Sequence, residues 1–259
     1  MTDTNAQPAA ETGLFIYGIV PSDVEPTPDA AGVGDPPGEV AAIRQGGLAA
    51  LVSEVGLEQP MGRPADLTAY QTLLDGTAAV APVLPVRFGT VVTGPDAVKD
   101  LLEAHQEQFV GALEEFEDRL QYTVHGRYHE QELIAQVLRD HPDAGELARQ
   151  VHGQPEEVTR EQRIRLGEMI SQAVELRRET ENQQLIEALS PLSVANVPRP
   201  PSHELDAVHV AFLVGTDDEE EFVKAVEEFA EQRQDLIRMR LLGPLAPYDF
   251  VSAHQLVAE

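Results

Sequence analysis

The spacing of apolar and polar positions predicts strands and helices that alternate along the chain. Residues 14–20, LFIYGIV, place Leu14, Ile16 and Val20 on one face of a strand and further apolar side chains on the other. Apolar residues on both faces predict a central strand that is covered on two sides. Residues 39–56 predict two short strands joined at Gly46-Gly47, a dipeptide that tolerates the positive φ angles of a hairpin turn.

The rest of the first half alternates between loop, helix and strand. Residues 21–38 are rich in proline and glycine and predict a long loop, a feature often functional or mobile in compact domains. Residues 66–80 predict a helix, with Asp66 placed to cap its first turn. Residues 81–92 are rich in β-formers, but two prolines restrict them to a sheet edge or to an irregular entry into the sheet. Residues 93–120 have apolar side chains at three- and four-residue steps and predict one long amphipathic helix.

The second half has the order strand, helices, strand, strand, helix, strand. The corresponding ranges are 121–130, 131–189 with breaks near Pro142 and at 153–155, 189–197, 207–215, 216–233 and 236–251. This is the split β-α-β pattern of ferredoxin-like domains. The fold class predicted is α+β with two domains. These are a mixed-sheet N-terminal domain, residues 13–120, and a ferredoxin-like C-terminal domain, residues 121–259, with an expanded first helical region. Residues 1–12 are small, polar and aperiodic, and are predicted to form a disordered tail.

Composition narrows the function classes. The chain contains no cysteine, which excludes disulfides, thiolate nucleophiles and cysteine-ligated metal sites. We find no secretory signal and no apolar run of about 20 residues, so we expect a soluble, cytoplasmic protein. The formal net charge is −27, and a field of that sign repels phosphate backbones and anionic lipid. We therefore expect neither nucleic acid nor membrane as a partner.

A search for reactive motifs yields no catalytic centre. Neither Lys99 nor Lys224 follows a glycine, so there is no Walker loop, and no G-x-S-x-G elbow occurs. His125 and His129 share one face of the predicted strand near two glutamates, and such a set could bind zinc. Histidines two or four apart on a strand rarely converge on one ion, so structural or surface roles are favoured. We predict no catalytic residue, cofactor or metal.

Two segments are unusual in pattern, LPVRFGTVV at 84–92 and GPLAPYDFV at 243–251. An arginine in an apolar strand needs a partner, so we expect Arg87 to form a structural ion pair or to contact a binding partner. Gly89 is expected at a bulge or a close backbone approach. Tyr248 and Phe250 are candidates for packing against the sheet or for an interface. The candidate interaction or structural positions are Arg87, Phe88, Gly89, Gly243, Pro244, Tyr248 and Phe250.

These segments, with LFIYGIV, ALSPLSVAN and HVAFLV, resemble the gas vesicle protein F/L family in order and spacing from Leu14 to Val251. The resemblance implies a non-enzymatic accessory protein of gas vesicle formation, cytoplasmic and associated with the vesicles, that binds the small hydrophobic shell protein and other accessory proteins. A chaperone-like or nucleation role and a minor structural role both remain open. The chain departs from the family pattern at QYTVHGRYHE and in its acidic excess, so no binding surface is transferred. The alternative is a ferredoxin-like small-molecule-binding or enzymatic module.

Overall fold

The computed structural model describes residues 11–27, 30–58 and 61–251. These residues form two compact units. Unit 1 comprises the described residues up to Gln121 and those from Pro244 onward; unit 2 comprises Tyr122–Gly243. Nearly all of the predicted tail, residues 1–12, lies outside the described residues, and Thr12 begins the first strand.

Unit 1 contains a five-stranded antiparallel sheet with the order β2-β3-β1-β4, in which β5 also pairs with β1. Its strands are β1 (Thr12–Pro21), β2 (Val40–Gln45), β3 (Leu48–Gly56), β4 (Leu84–Pro85) and β5 (Val91–Val92). Its helices are α1 (Pro64–Ala78), α2 (Pro95–Ala104) and α3 (Gln106–Glu115). The predicted hairpin is confirmed, with Gln45 paired to Leu48 and a positive φ at Gly46.

The core of unit 1 lies on both faces of β1, as its doubly apolar sequence predicts. Phe15 and Tyr17 belong to a buried cluster with Leu74 of α1. A register shift between Ile16 and Gly18 places Val20 in the same cluster as Phe15 and Tyr17, so the predicted grouping of Val20 with Leu14 and Ile16 on one face is wrong. Ile16 and Ile19 are also fully buried, and α3 also packs against β1. Burial of each such side chain contributes about 1.5–3 kcal/mol, so this strand is a main source of the unit's stability.

The predicted single helix at 93–120 is wrong. His105 leaves the helical conformation, with φ −118° and ψ 19°, and separates α2 from α3. Both short helices still bury apolar side chains, including Val98, Leu102 and Phe109. The two helix axes can therefore follow the sheet independently, and the apolar stripe alone does not reveal the break.

Unit 2 contains a four-stranded sheet with the order β7-β8-β6-β9. The strands of this sheet are β6 (Arg119–Tyr128), β7 (Ala195–Pro198), β8 (Asp206–Gly215) and β9 (Ile237–Leu245), of which the first three residues of β6 and the last two of β9 fall in unit 1. Its helices are α4 (Glu130–Asp140), α5 (Pro142–Val151), α6 (Glu156–Leu189) and α7 (Glu219–Glu231). The predicted helical breaks near Pro142 and at 153–155 are confirmed. No helix of the described chain is long and apolar enough to cross a bilayer.

Side chains from α4 and α6 pack on the sheet of unit 2. Tyr128, Ala207 and Ile237 form one buried cluster with Leu133 of α4 and Val174 of α6. The buried residues of α7 are Phe222, Val226 and Phe229, which lie three or four positions apart and form one apolar stripe.

Gly126 lies at a point of β6 where side chains of the neighbouring strands leave no room for a Cβ atom. A Cβ atom at this position would lie 2.7 Å from Val208 Cγ2 and 2.9 Å from Ile237 Cγ2. Val208, Ile237 and Met239 therefore point to the same side of the sheet as Gly126.

Two strand predictions and one boundary are corrected. The range 189–197 is a strand only from Ala195, because α6 runs to Leu189 and a short 3-10 turn, Ser190–Leu192, follows it. Pro191 within this turn lacks a backbone donor. The last strand ends at Leu245 rather than at 251. The domain predicted over 121–259 differs from unit 2, because the described residues from Pro244 onward belong to unit 1, where Ala246 and Tyr248 hydrogen bond to Asp75.

Candidate interaction sites

Residues 87–90 form a turn that leads from β4 into β5. Thr90 N–H donates to the Arg87 carbonyl over 3.1 Å, and the Thr90 hydroxyl donates to the same oxygen over 2.7 Å. Gly89 has φ +91°, a value that suits the third residue of a type II turn and favours glycine. A Cβ there would meet no atom within 4 Å, so glycine serves the backbone angle and not a close approach, contrary to our expectation.

Arg87 is exposed at the start of this turn and is not part of a strand. Within the described residues no carboxylate forms an ion pair with it, so the expected structural ion pair is not found. Its contact with a binding partner stays a prediction.

Phe88 belongs to a set of rings that we call the aromatic cluster, formed by Phe15, Tyr17, Tyr70, Phe88 and Tyr248. The Phe88 ring lies 5.4 Å from that of Phe15 and 5.3 Å from that of Tyr70, in edge-on geometry. The Tyr248 ring lies 6.2 Å from that of Tyr70. Such pairs contribute about 0.5–1.5 kcal/mol beyond their buried area. The cluster joins residues of both segments that the sequence singled out.

The segment after β9 is fixed to α1 through one carboxylate. Ala246 N–H and the Tyr248 hydroxyl both donate to Asp75 Oδ1, each over 2.9 Å. Asp249 N–H donates to Gln121 Oε1 over 2.9 Å, and Phe250 is 9% exposed. Tyr248 and Phe250 thus pack within unit 1. Gly243 and Pro244 precede this segment at the exposed end of β9.

Burial changes the pKa values of Asp75 and of the two tyrosines beside it. It raises the pKa of Asp75, and the hydrogen bonds from Ala246 and Tyr248 oppose that shift. Burial and the nearby Asp75 carboxylate raise the pKa of both Tyr70 and Tyr248. A carboxylate whose folded pKa is raised lowers stability as pH rises from its unfolded value of about 4 through its folded value.

Asp75→Asn should therefore remove a stability loss that the wild-type chain suffers as pH rises above about 4. The amide oxygen can accept both hydrogen bonds, whereas Asp75→Ala leaves both donors without this acceptor and should cost about 2 kcal/mol. Urea unfolding at pH 4 to 8 measures both variants. If the stability difference between wild type and Asp75→Asn is the same from pH 4 to pH 8, the raised pKa of Asp75 does not contribute.

Asp66 anchors the described part of the long loop. It lies at the third position of α1 and not at its cap, and its oxygens accept the N–H groups of Gly34 and Arg63 over 3.1 and 3.0 Å. The Arg63 guanidinium holds the pKa of Asp66 below its ordinary value despite burial. Val33 N–H donates to the Tyr17 hydroxyl over 2.7 Å. The loop is therefore tied to the core at residues 33 and 34.

In unit 2, Asp206 is the centre of a polar cluster. Its carboxylate is 1% exposed and accepts the N–H groups of Ser202 and His203, each over 2.8 Å, together with the Ser202 hydroxyl. His125 Nε2 lies 3.0 Å from it, and Arg127 Nε donates over 3.3 Å. Burial alone would raise the pKa of Asp206, but the bonds from Ser202, His203 and His125 hold it below its ordinary value.

The two histidines singled out by the sequence have different surroundings. His125 contacts Asp206 and the His209 ring, whose centroid lies 5.0 Å away. His129 is exposed and precedes α4. Within the described ranges no three His, Asp or Glu side chains are arranged to hold a metal. Burial, followed by the charge of Arg199, lowers the pKa of His209.

A groove of about 980 Å³ lies between α4, α6 and residues 201–205, and we call it the α4–α6 groove. Its apolar lining residues are Leu133, Ile134, Ile170, Val174 and Leu205. Exposed carboxylates of Glu130, Glu175 and Glu204 also line it. Gly167 and Ser171 leave space on the α6 side because their side chains are small or absent. The sequence alone does not reveal the groove, because its lining comes from three separate segments of the chain.

A family model and individual relatives both match this chain over nearly its whole length. The family model described as gas vesicle synthesis protein GvpL/GvpF matches residues 13–252. Gas vesicle protein F of Streptomyces sp. (strain CB03234) is 33% identical, over 92% of this chain and 98% of its own length. Gas vesicle protein L of the same strain is 28% identical over 91% of each chain.

Solved structures show the same fold. The crystal structure of GvpF from Anabaena sp. PCC7120 has a TM-score of 0.75 at 24% identity and covers 92% of this chain and 98% of its own. That of GvpF from Microcystis aeruginosa has a TM-score of 0.72 at 22% identity, with the same coverage. The α+β class predicted from the sequence is confirmed. On the match of the family model and of the Streptomyces relative, the chain belongs to the GvpL/GvpF family of gas vesicle synthesis proteins.

Proposed function

We propose that this chain is an accessory protein that binds the hydrophobic gas vesicle shell protein in the α4–α6 groove before the shell is assembled. Membership of the family supports a role in gas vesicle formation. The observation that carries the finer proposal is the apolar lining of an open groove in a chain of net charge −27. The acidic surface keeps the complex in solution, and the groove shields an apolar segment from self-association.

The groove suits a helix better than an extended strand. It follows the length of α6 from Gly167 to Arg178, about three turns, and an amphipathic helix buries residues at similar spacing. The Arg178 guanidinium donates to the carbonyls of Glu204 and Asp206, each over 2.7 Å, so it holds the wall of the groove in place. Ile134, Ile170 and Leu205 are half-buried between these walls and can contact a ligand, whereas Leu133 and Val174 belong to the buried core beneath them.

Ser171→Trp tests this site, because the indole fills the groove at an exposed position without removing any core side chain. Gln172→Trp is the matched control, since Gln172 is exposed on the same helix but does not line the groove. We expect co-expressed shell protein to be recovered with the control at wild-type yield and with Ser171→Trp at about a tenth of it, equivalent to about 1.4 kcal/mol. Equal recovery with both variants at low salt would exclude the groove as the binding site.

We also propose that unit 2 is a ferredoxin-like domain, and that the two units are separate domains. The order of elements from β6 to β9 supports this, with α4 to α6 in place of the first helix and α7 as the second. The strand order, with β6 and β8 at the centre, supports it as well.

The alternative function is small-molecule binding or catalysis. The volume of the groove falls within the range of ligand pockets, about 300–1,000 Å³, and is the observation that favours it. Against it, the carboxylates with shifted pKa, Asp66, Asp75 and Asp206, lie outside the lining of the groove. We propose no catalytic residue, and we propose vesicle association through the shell protein.

A further inference from the structure

One face of the sheet in unit 2 carries cationic side chains on a strongly acidic protein. Gly126 faces Ile237 and Met239, which pack toward α4 and α6. Neighbouring residues of a strand point to opposite faces, so Arg238 and Arg240 lie on the face away from those helices. Arg127, next to Gly126 on the adjoining strand β6, lies on the same face.

The two arginines of β9 have no ionic partner among the residues that the structure describes. Both are exposed, and none of the ion pairs or hydrogen bonds of these residues includes their side chains. Arg127 is 38% exposed and shares the buried Asp206 carboxylate with His125. Since the chain has 45 acidic and only 18 basic side chains, unpaired neighbouring arginines depart from the general character of its surface.

β9 is also a free edge of its sheet. It pairs with β6, and no described strand lies beyond it. Leu242 lies two positions after Arg240, so its side chain is on the same face of β9 as the two arginines, and it is 51% exposed. Arg238, Arg240 and Leu242 thus form a row of two positive charges and one apolar side chain, which we call the β9 row. Exposed edges of this kind accept an extended segment through backbone hydrogen bonds.

We propose that the β9 row is a docking site for an extended acidic segment of a partner protein that also carries an apolar residue. Arginine forks match carboxylates with two parallel hydrogen bonds, and Leu242 supplies an apolar contact at the next outward position. Charge complementarity selects this occupant. A long polyanion such as nucleic acid, or an anionic membrane, would extend beyond the row over a surface of net charge −27, whereas a short segment contacts the row alone. The site is separate from the α4–α6 groove and does not depend on it.

Fluorescence anisotropy tests the proposal on the full chain, with a labelled peptide of alternating glutamate and leucine as the probe. Arg238→Glu/Arg240→Glu should weaken binding about tenfold or more at low salt, because two attractions become repulsions. Arg160→Glu/Arg165→Glu makes the same change of net charge on exposed residues of α6 and should leave the affinity within about twofold. Ser171→Trp should bind the peptide like wild type, which separates this site from the groove.

Four outcomes would overturn the proposal. Equal weakening by both double variants would mean that net charge alone acts. Tighter binding of a single-stranded oligonucleotide, or of phosphatidylserine vesicles, would assign the row to another class of ligand. Loss of a dimer on Arg238→Glu/Arg240→Glu, seen by sedimentation, would make a second copy of the chain the occupant. If the charge-reversed chain does not fold, Arg238→Gln/Arg240→Gln replaces it, with an expected loss of about threefold, and no loss there also refutes the site.

Discussion

Phe15→Ala is expected to destabilise the protein by about 4 kcal/mol, because it removes a buried ring from the centre of the aromatic cluster. Phe15 is fully buried on β1, and its ring centroid lies 4.9 Å from that of Tyr17 and 5.4 Å from that of Phe88. Urea unfolding measures the loss. Three of the five tyrosines belong to the cluster and the chain has no tryptophan, so near-ultraviolet circular dichroism should fall as well.

Phe15→Leu is the control for this prediction. It keeps most of the buried apolar volume and should cost about 1 kcal/mol. If Phe15→Ala costs no more than Phe15→Leu, the cluster does not organise unit 1, and the Phe88 turn must be held by its own hydrogen bonds.

The second large effect concerns Asp206→Asn, which should cost about 3 kcal/mol at pH 7. The amide can accept at only one of its two terminal atoms, whereas both carboxylate oxygens of Asp206 accept hydrogen bonds, Oδ1 from Arg127 and Oδ2 from Ser202 and His203. Urea unfolding at several pH values measures the effect. Asp235→Asn, at an exposed position near the end of α7, should change stability by about 0.5 kcal/mol or less.

The pH dependence gives this prediction a second readout. Because the folded pKa of Asp206 is lowered, its contribution to stability is complete above the unfolded value of about 4 and is lost as pH falls toward the folded value. The difference between wild type and Asp206→Asn should therefore shrink below about pH 4. A difference that stays constant from pH 3 to pH 7 would show that packing, not charge, is what the substitution removes.

The pattern of apolar and turn residues predicted those parts of the fold that depend on residues close together in the sequence. The apolar alternation of residues 14–20 predicted a strand buried on both faces, and Gly46-Gly47 predicted the hairpin. The stripe of 93–120 did not predict the break at His105, because apolar spacing continues across it. Likewise Asp66 was expected at a helix cap, and its bond to Gly34 depends on a loop 32 residues away.

The candidate sites depend on contacts that no local pattern contains. The sequence singled out Phe88 and Tyr248 separately, but both rings contact Tyr70, which joins residues more than 100 positions apart. The α4–α6 groove also depends on distant residues, because two helices and residues 201–205 line it together. Arg238 and Arg240 alternate with apolar residues in the sequence, but the position of the β9 row at a free edge follows only from the strand order.

The central claim is that the α4–α6 groove holds the shell protein, and photo-cross-linking from inside the groove tests it most directly. A benzophenone side chain is placed at Ser171 in one variant and at Arg165, exposed on the same helix outside the groove, in the other. After illumination of cells that form gas vesicles, we expect a covalent adduct with the shell protein from position 171 and none from position 165. Adducts of equal yield from both positions, or an adduct from position 171 that lacks the shell protein, would contradict the claim.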